Sequence, residues 1–115
     1  MKVLVIDDDR GFVEMVRSVL AEDGHVVVSA SDGKAGLEAA ARATPDVILL
    51  DLLMPRLDGP TFANSYARAP GRHAPIIVLS GVAGMPGSTV AGASAYLSKP
   101  FELDALLGTL RRVVS

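Results

Sequence analysis

The stretch Lys2-Val3-Leu4-Val5-Ile6-Asp7-Asp8-Asp9 decides the fold, because a short apolar run ends directly in three carboxylates. Residues 47–50 run in the same way into Asp51, and residues 76–79 run into Ser80. Short apolar runs that alternate with helical patterns predict buried parallel strands. Each of these strands is therefore expected to end in a polar side chain.

Two weaker runs complete the pattern: residues 25–30, and residues 95–98 ahead of Lys99-Pro100. Apolar residues at helical spacing fill most of the intervals. The resulting βαβαβαβαβα alternation predicts an α/β fold with a doubly wound, five-stranded parallel sheet. Its crossovers should be right-handed. We expect residues 1–115 to form one domain.

The interval after the fourth strand is the least regular part of the chain. Residues 81–92 contain four glycines and Pro86, a composition with poor helix propensity. The sequence therefore predicts a shortened or irregular fourth helix. The closing helix is better defined, and its apolar face comprises Leu103, Leu106, Leu107, Leu110 and Val114.

Composition excludes several classes of protein and site. The net charge is −2 without any basic run, which argues against nucleic-acid binding, and the absence of cysteine excludes disulfides and thiolate ligands. No apolar stretch approaches the length of a membrane span. The first strand begins at Lys2, which leaves no room for a signal peptide. We therefore expect a cytoplasmic protein that is not membrane-bound.

The carboxylates at the strand ends predict a metal site. Ligands bind in the crevice at the carboxyl ends of parallel strands, and there we expect Asp7, Asp8 and Asp51. Clustered carboxylates repel one another unless a cation lies between them. A divalent cation with hard oxygen ligands, Mg²⁺ or Mn²⁺, suits this set because it needs only one or two protein carboxylates.

The same rim suits a phosphoryl group. A carboxylate such as Asp51 can act as a nucleophile and form an aspartyl phosphate. Lys99 would supply an ammonium and Ser80 a hydroxyl to phosphoryl oxygens, while Gly81 would let the backbone approach closely. Phosphoryl transfer depends mainly on such positioning and charge neutralisation.

Over the whole chain these motifs resemble the receiver domain of two-component response regulators, the CheY-like family. The resemblance implies the flavodoxin-like strand order 2-1-3-4-5. The residues that carry it are Asp7-Asp8, Asp51, Met54-Pro55, Asp58-Gly59, Ser80-Gly81 and the run Tyr96-Leu97-Ser98-Lys99-Pro100-Phe101.

The resemblance also implies a role for each matching residue. Asp51 would be the phosphoacceptor, Asp8 and Asp51 would bind the metal directly, and Asp7 would bind it through water. The remaining implied roles are the Leu53 backbone carbonyl as a metal ligand, Ser80, Gly81 and Lys99 as phosphoryl-binding residues, Ser80 and Tyr96 as switch residues, and Lys99-Pro100 as a cis peptide.

The implied function is signalling. A histidine kinase or a histidine phosphotransfer protein would phosphorylate Asp51, Ser80 would move inward, and Tyr96 would fill the vacated space, which biases an existing equilibrium. The changed surface, near the fourth helix, fifth strand and closing helix, would be read by a downstream protein, a fused output domain or a second copy in a phosphorylation-dependent homodimer. No enzymatic activity is implied beyond the domain's own phosphorylation and dephosphorylation.

Two alternatives stay open at this point. Asp7-Asp8-Asp9 also fits the Asp-x-Asp pattern of haloacid-dehalogenase-type phosphatases, with Asp7 as nucleophile and Asp9 as general acid, although Asp51 is then unexplained. A receiver-like interaction module that is never phosphorylated is the other. For Asp9 a plainer interpretation exists, since acidic residues are favoured at helix N-termini.

Overall fold

The structure is a computed structural model that describes residues 1–52, 59–80, 93–98 and 101–114. Within these residues the chain forms alternating strands and helices. The strands are β1 (Lys2–Ile6), β2 (Val26–Ala30), β3 (Val47–Asp51), β4 (Ile76–Ser80) and β5 (Ala93–Ser98), and the helices are α1 (Arg10–Glu22), α2 (Gly33–Ala43), α3 (Gly59–Arg68) and α4 (Leu103–Val114).

The strands form one sheet in the order β2-β1-β3-β4-β5, and all neighbouring pairs are parallel. Both the predicted fold class and the predicted strand order are confirmed. The central strand β3 is buried along its whole length. This explains its continuous apolar run, since a parallel strand covered on both faces has no solvent side for polar residues.

Alternate side chains of each strand feed two separate cores, because successive side chains point to opposite faces of a sheet. Leu4 and Ile6 of β1 pack with Phe62 of α3 on one face. Val3 and Val5 pack on the other face with residues of α1 and α4. The helices therefore hold the sheet between two layers, and the strand ends form the rim between them.

Element boundaries differ from the prediction at two strands. β2 begins at Val26, and β5 begins at Ala93, two residues earlier than expected. Ala93 pairs with Ile76 across a shift in register, so pairing with the neighbouring strand lengthens β5 beyond its apolar run. The predicted irregular fourth helix lies outside the described residues. Among the helices that are described, none has the length and apolar character needed to cross a membrane.

Candidate functional site

Three carboxylates meet at the carboxyl edge of the sheet. Asp7, Asp8 and Asp51 each offer an oxygen atom, and these oxygens all lie within 4.8 Å of one another. Asp7 and Asp51 are buried, with exposed fractions of 3% and 7%, whereas Asp8 is exposed to solvent. The structure thus brings together the three carboxylates that the sequence assigned to one site.

Strand register explains why they meet. Ile6 pairs with Leu50, so the residues that follow this pair, Asp7 just after β1 and Asp51 at the end of β3, lie side by side. The backbone N–H of Asp7 donates to the Ala30 carbonyl at 3.0 Å, which extends the pairing of β1 with β2 by one residue. Asp7 is therefore fixed by the sheet itself.

The carboxylate of Asp7 is also oriented by the chain that follows it. The backbone N–H of Asp9 donates to Oδ1 of Asp7 at 3.0 Å. Because Oδ1 accepts this bond, the orientation of the Asp7 carboxylate depends on where α1 begins. The metal site and the first helix are thereby coupled through one short turn.

Asp9 has a different task. Its Oδ1 accepts a hydrogen bond from the backbone N–H of Phe12 at 3.2 Å, which makes Asp9 the N-cap of α1. An N-cap side chain satisfies one of the helix's unpaired backbone donors. The helix-terminal interpretation of Asp9 is confirmed, and Asp9 is not a member of the carboxylate cluster.

The other predicted site residues are described only in part. Ser80 ends β4, one residue beyond Leu79, which pairs with Asp51. Its backbone therefore reaches the same edge of the sheet. Tyr96 of β5 is 52% exposed. Leu53, Gly81, Lys99 and Pro100 lie outside the described residues.

The donor set fits a hard divalent cation. Magnesium is held by oxygen ligands at about 2.1 Å in an octahedron, so two direct ligands are at most about 4.2 Å apart. Oxygen atoms spread over as much as 4.8 Å suit a cation that some carboxylates bind directly and another reaches through water. Without a cation, three clustered carboxylates would repel one another.

A cleft of about 460 Å³ adjoins the cluster on the β2 side. Sequence reasoning missed it, although Arg10 directly follows the acidic triplet and Ser31 directly follows β2. The signal in the sequence was the presence of polar residues, Arg10 and Ser31, shortly after the ends of two neighbouring strands. The cleft is lined by Asp7, Asp8, Arg10, Val13, Glu14, Ser29, Ala30 and Ser31.

Residues 3–111 match the family model described as the response regulator receiver domain. The chain belongs to this family. A receiver domain is a part of two-component signalling and not a conventional enzyme. The carboxylate cluster corresponds to the acidic metal site of receiver domains, and the family match leaves the phosphatase alternative without support.

Known proteins resemble this receiver domain over its whole length. It is 40% identical to the response regulator MprA of Mycobacterium leprae over an alignment 121 positions long, which covers 99% of this chain and 51% of the relative. The chain thus spans about half the length of the curated relatives it matches.

Solved structures agree with the fold. A receiver domain from Bermanella marisrubri superposes with a TM-score of 0.90 at 32% identity, covering 99% of this chain and 98% of the other. The receiver domain of a sensor histidine kinase from Pseudomonas aeruginosa gives a TM-score of 0.88 at 30% identity, covering 98% and 96%. That structure holds a magnesium ion coordinated in its active site cleft.

Proposed function

We propose that residues 1–115 are one receiver domain in which Asp51 accepts a phosphoryl group in a magnesium-dependent reaction. The observation that carries this proposal is the cluster of Asp7, Asp8 and Asp51 oxygens within 4.8 Å at the carboxyl edge of the sheet. Two of the three carboxylates are buried and one faces solvent. The buried pair is held in place by the protein, and the exposed carboxylate leaves the cluster accessible from solvent.

Each carboxylate has a distinct part in this proposal. Asp8 and Asp51 would hold the cation directly and Asp7 would hold it through water, with the Leu53 carbonyl as a further ligand. When bound, the cation would supply positive charge that offsets the charge of the incoming phosphoryl oxygens. One oxygen of Asp51 attacks phosphorus, the new O–P bond forms, and the bond from phosphorus to the donor breaks.

The phosphoryl group is then held at the same edge of the sheet. Ser80 and Lys99 donate hydrogen bonds to its oxygens, and Gly81 allows the backbone to approach. The proposal includes a cis peptide between Lys99 and Pro100, as the family resemblance implies. Tyr96 supports a switch role because half of its surface is exposed, which leaves an outward position from which the ring can move as Ser80 shifts.

A histidine kinase or a histidine phosphotransfer protein is the donor that this site would serve in a two-component system. The output is a changed surface around β5 and α4, read by a downstream protein, by an output domain in the same polypeptide, or by a second copy in a phosphorylated homodimer. A cytoplasmic location follows from such partners.

The deciding experiment is phosphorylation of the wild-type chain and of Asp51→Asn by acetyl phosphate with magnesium, followed by intact-mass and peptide mass spectrometry. The wild type should gain one acid-labile phosphoryl group, which maps to the peptide containing Asp51. Asp51→Asn should gain none, because a carboxamide is a far weaker nucleophile than a carboxylate.

Asp23→Asn is the matched control, since Asp23 lies at the other end of α1 and, within the described part of the chain, its carboxylate takes part only in a long surface ion pair with Arg111 at 3.8 Å. It should be phosphorylated like the wild type. Undiminished labelling of Asp51→Asn would reject Asp51 as the acceptor. The phosphoryl mimic beryllofluoride, added with magnesium, gives a second readout by fluorescence or NMR. Absence of labelling in the wild type, together with unchanged fluorescence or NMR spectra on adding beryllofluoride, would favour the interaction module that is never phosphorylated.

A further inference from the structure

Phe12 and Phe101 form an aromatic pair that joins the start of α1 to the segment before α4. Their ring centroids are 5.8 Å apart and their planes meet at 89°, which is an edge-to-face arrangement that aromatic rings prefer. Phe12 lies in the first turn of α1, and Phe101 lies between β5 and α4. The pair therefore connects segments from opposite ends of the chain.

The two rings lie at the margin of a core that holds α4 independently. Both rings are half-buried, and they pack against the same cluster as Leu106 and Leu110 of α4. Those leucines are fully buried, so they anchor α4 without the aromatic pair. Loss of the Phe12 ring should therefore loosen the segment before α4 more than the helix itself.

That segment follows directly on Lys99. Only Lys99 and Pro100 separate Ser98, the last residue of β5, from Phe101. Ser98 is held by pairing with the end of β4, and Phe101 is held by its contact with Phe12. Because two residues of extended chain span at most about 7 Å, the aromatic pair limits where the backbone of Lys99 can lie.

Phe12 is also linked to the carboxylate cluster, but through its backbone. Its N–H donates to Oδ1 of Asp9 at 3.2 Å, and the N–H of Asp9 donates to Oδ1 of Asp7 at 3.0 Å. The main chain of Phe12 thus leads to the metal site, and its side chain leads to the segment after Lys99. Since a substitution at Phe12 changes only the side chain, the two links can be tested separately.

We propose that Phe12 is a positioning residue for phosphoryl transfer, which packs against Phe101 and so holds the segment that presents Lys99 to the phosphoryl group. The proposal rests on Asp51 being the phosphoacceptor and on Lys99 binding phosphoryl oxygens. Phe12 acts through Phe101 and contacts neither the donor nor the cation. Electrostatic stabilisation of a transferring group depends on charges that are held in place before the reaction, so a loosened Lys99 would slow the transfer.

The test compares initial rates of labelling by acetyl phosphate at saturating magnesium, corrected for the folded fraction measured by circular dichroism. Phe12→Ala, Phe101→Ala and the double variant form a double-mutant cycle. Phe12→Tyr keeps the ring, and Phe12→Leu takes the place of Phe12→Ala in the cycle if the alanine variant does not fold. The magnesium concentration that gives half of the maximal rate is measured for each variant.

Val113→Ala is the matched control. Val113 is a half-buried apolar residue that packs against the same core, and it lies in the last turn of α4, at the end of the helix opposite to Phe101. Its truncation should lower stability without changing the labelling rate of the folded protein.

We expect Phe12→Ala to lower the rate at saturating magnesium about fivefold, the effect usual for the loss of one aromatic pair. The half-maximal magnesium concentration should stay as in the wild type, because strand pairing places Asp7 and Asp51. The double variant should be no slower than the slower single variant, and Phe12→Tyr should approach the wild-type rate.

An unchanged rate in Phe12→Ala would overturn the positioning role, and so would equal slowing in Val113→Ala, which would show a general loosening of the core. Independent losses that multiply in the double variant would show that the two rings do not act as a unit. A raised magnesium requirement that accounts for the slowing would place the effect at Asp7 instead of Lys99. All these results leave Asp51 as the phosphoacceptor, whereas a wild type that acetyl phosphate does not label would contradict the proposed function itself.

Discussion

At the scale of single residues, Gly36 shows how closely α2 packs against the strand that leads to the site. A Cβ atom at this position would lie 2.7 Å from Cδ1 and 3.1 Å from Cγ1 of Ile6, and 3.3 Å from Cε1 of Phe62. Ile6 and Phe62 are fully buried, and Ile6 directly precedes Asp7. Glycine is thus required here by close approach, not by backbone conformation.

Gly36→Ala should lower the free energy of unfolding. Overpacking a filled core costs about 1–3 kcal/mol, while replacing a helical glycine by alanine gains about 1 kcal/mol, so we expect a net loss of about 1 kcal/mol. Urea denaturation measures it. Gly108→Ala in α4 is the control, because no atom lies within 4 Å of its added Cβ, and it should be stabilising. Equal gains in both variants would contradict the packing argument.

At the scale of an element, the N-terminus of α1 joins the first helix to the metal site. Asp9 receives a hydrogen bond from Phe12 through its side chain and donates one to Asp7 through its backbone N–H. Its carbonyl accepts from Val13 at 3.0 Å. Removal of the Asp9 carboxylate takes away the cap but leaves the backbone bond to Asp7.

Asp9→Ala should therefore destabilise the fold by about 1 kcal/mol, the usual cost of losing an N-cap, and still permit phosphorylation of Asp51. Chemical denaturation and acetyl phosphate labelling measure the two effects. The matched variant is Asp32→Ala, which removes the corresponding cap of α2, where Oδ1 of Asp32 accepts from Ala35 at 2.8 Å. Complete loss of labelling in a folded Asp9→Ala would instead favour a chemical role for Asp9.

At the scale of the whole molecule, the cluster couples metal binding to stability. Folding brings carboxylates from β1 and β3 together, and their repulsion opposes the folded state until a cation is present. A ligand that binds only the folded state stabilises it by mass action, by about 2.7 kcal/mol when its concentration is 100 times the dissociation constant.

Magnesium should raise the midpoint of thermal unfolding in a concentration-dependent way, and EDTA should reverse the effect. Asp8→Asn should lose most of this response, and in EDTA it should be at least as stable as the wild type because one repelling charge is gone. Sodium chloride at matched ionic strength controls for screening. A wild type whose midpoint is the same in magnesium and in EDTA would contradict a metal site formed by this cluster.

Particular residues show how far the sequence could be used for prediction. Apolar runs that stop at Asp7 and Asp51 placed both carboxylates at strand ends, since a buried run and its abrupt polar end are local properties. The start of β5 at Ala93 could not be predicted in this way, because residues 93–94 join the sheet only through pairing with β4. Arg10 was missed for a similar reason, since its cleft is formed jointly by α1 and the end of β2.

The amino-acid sequence by itself determined that polar groups follow buried strands, that the fold class is α/β, and that Asp9 favours a helix terminus. Those features depend on the order of residue types along a few turns of chain. Only the tertiary structure decided which carboxylates are within reach of one another and that an arginine lines a cleft beside them. The physical reason is that such distances depend on strand register and helix packing, which arise only when distant segments share one core.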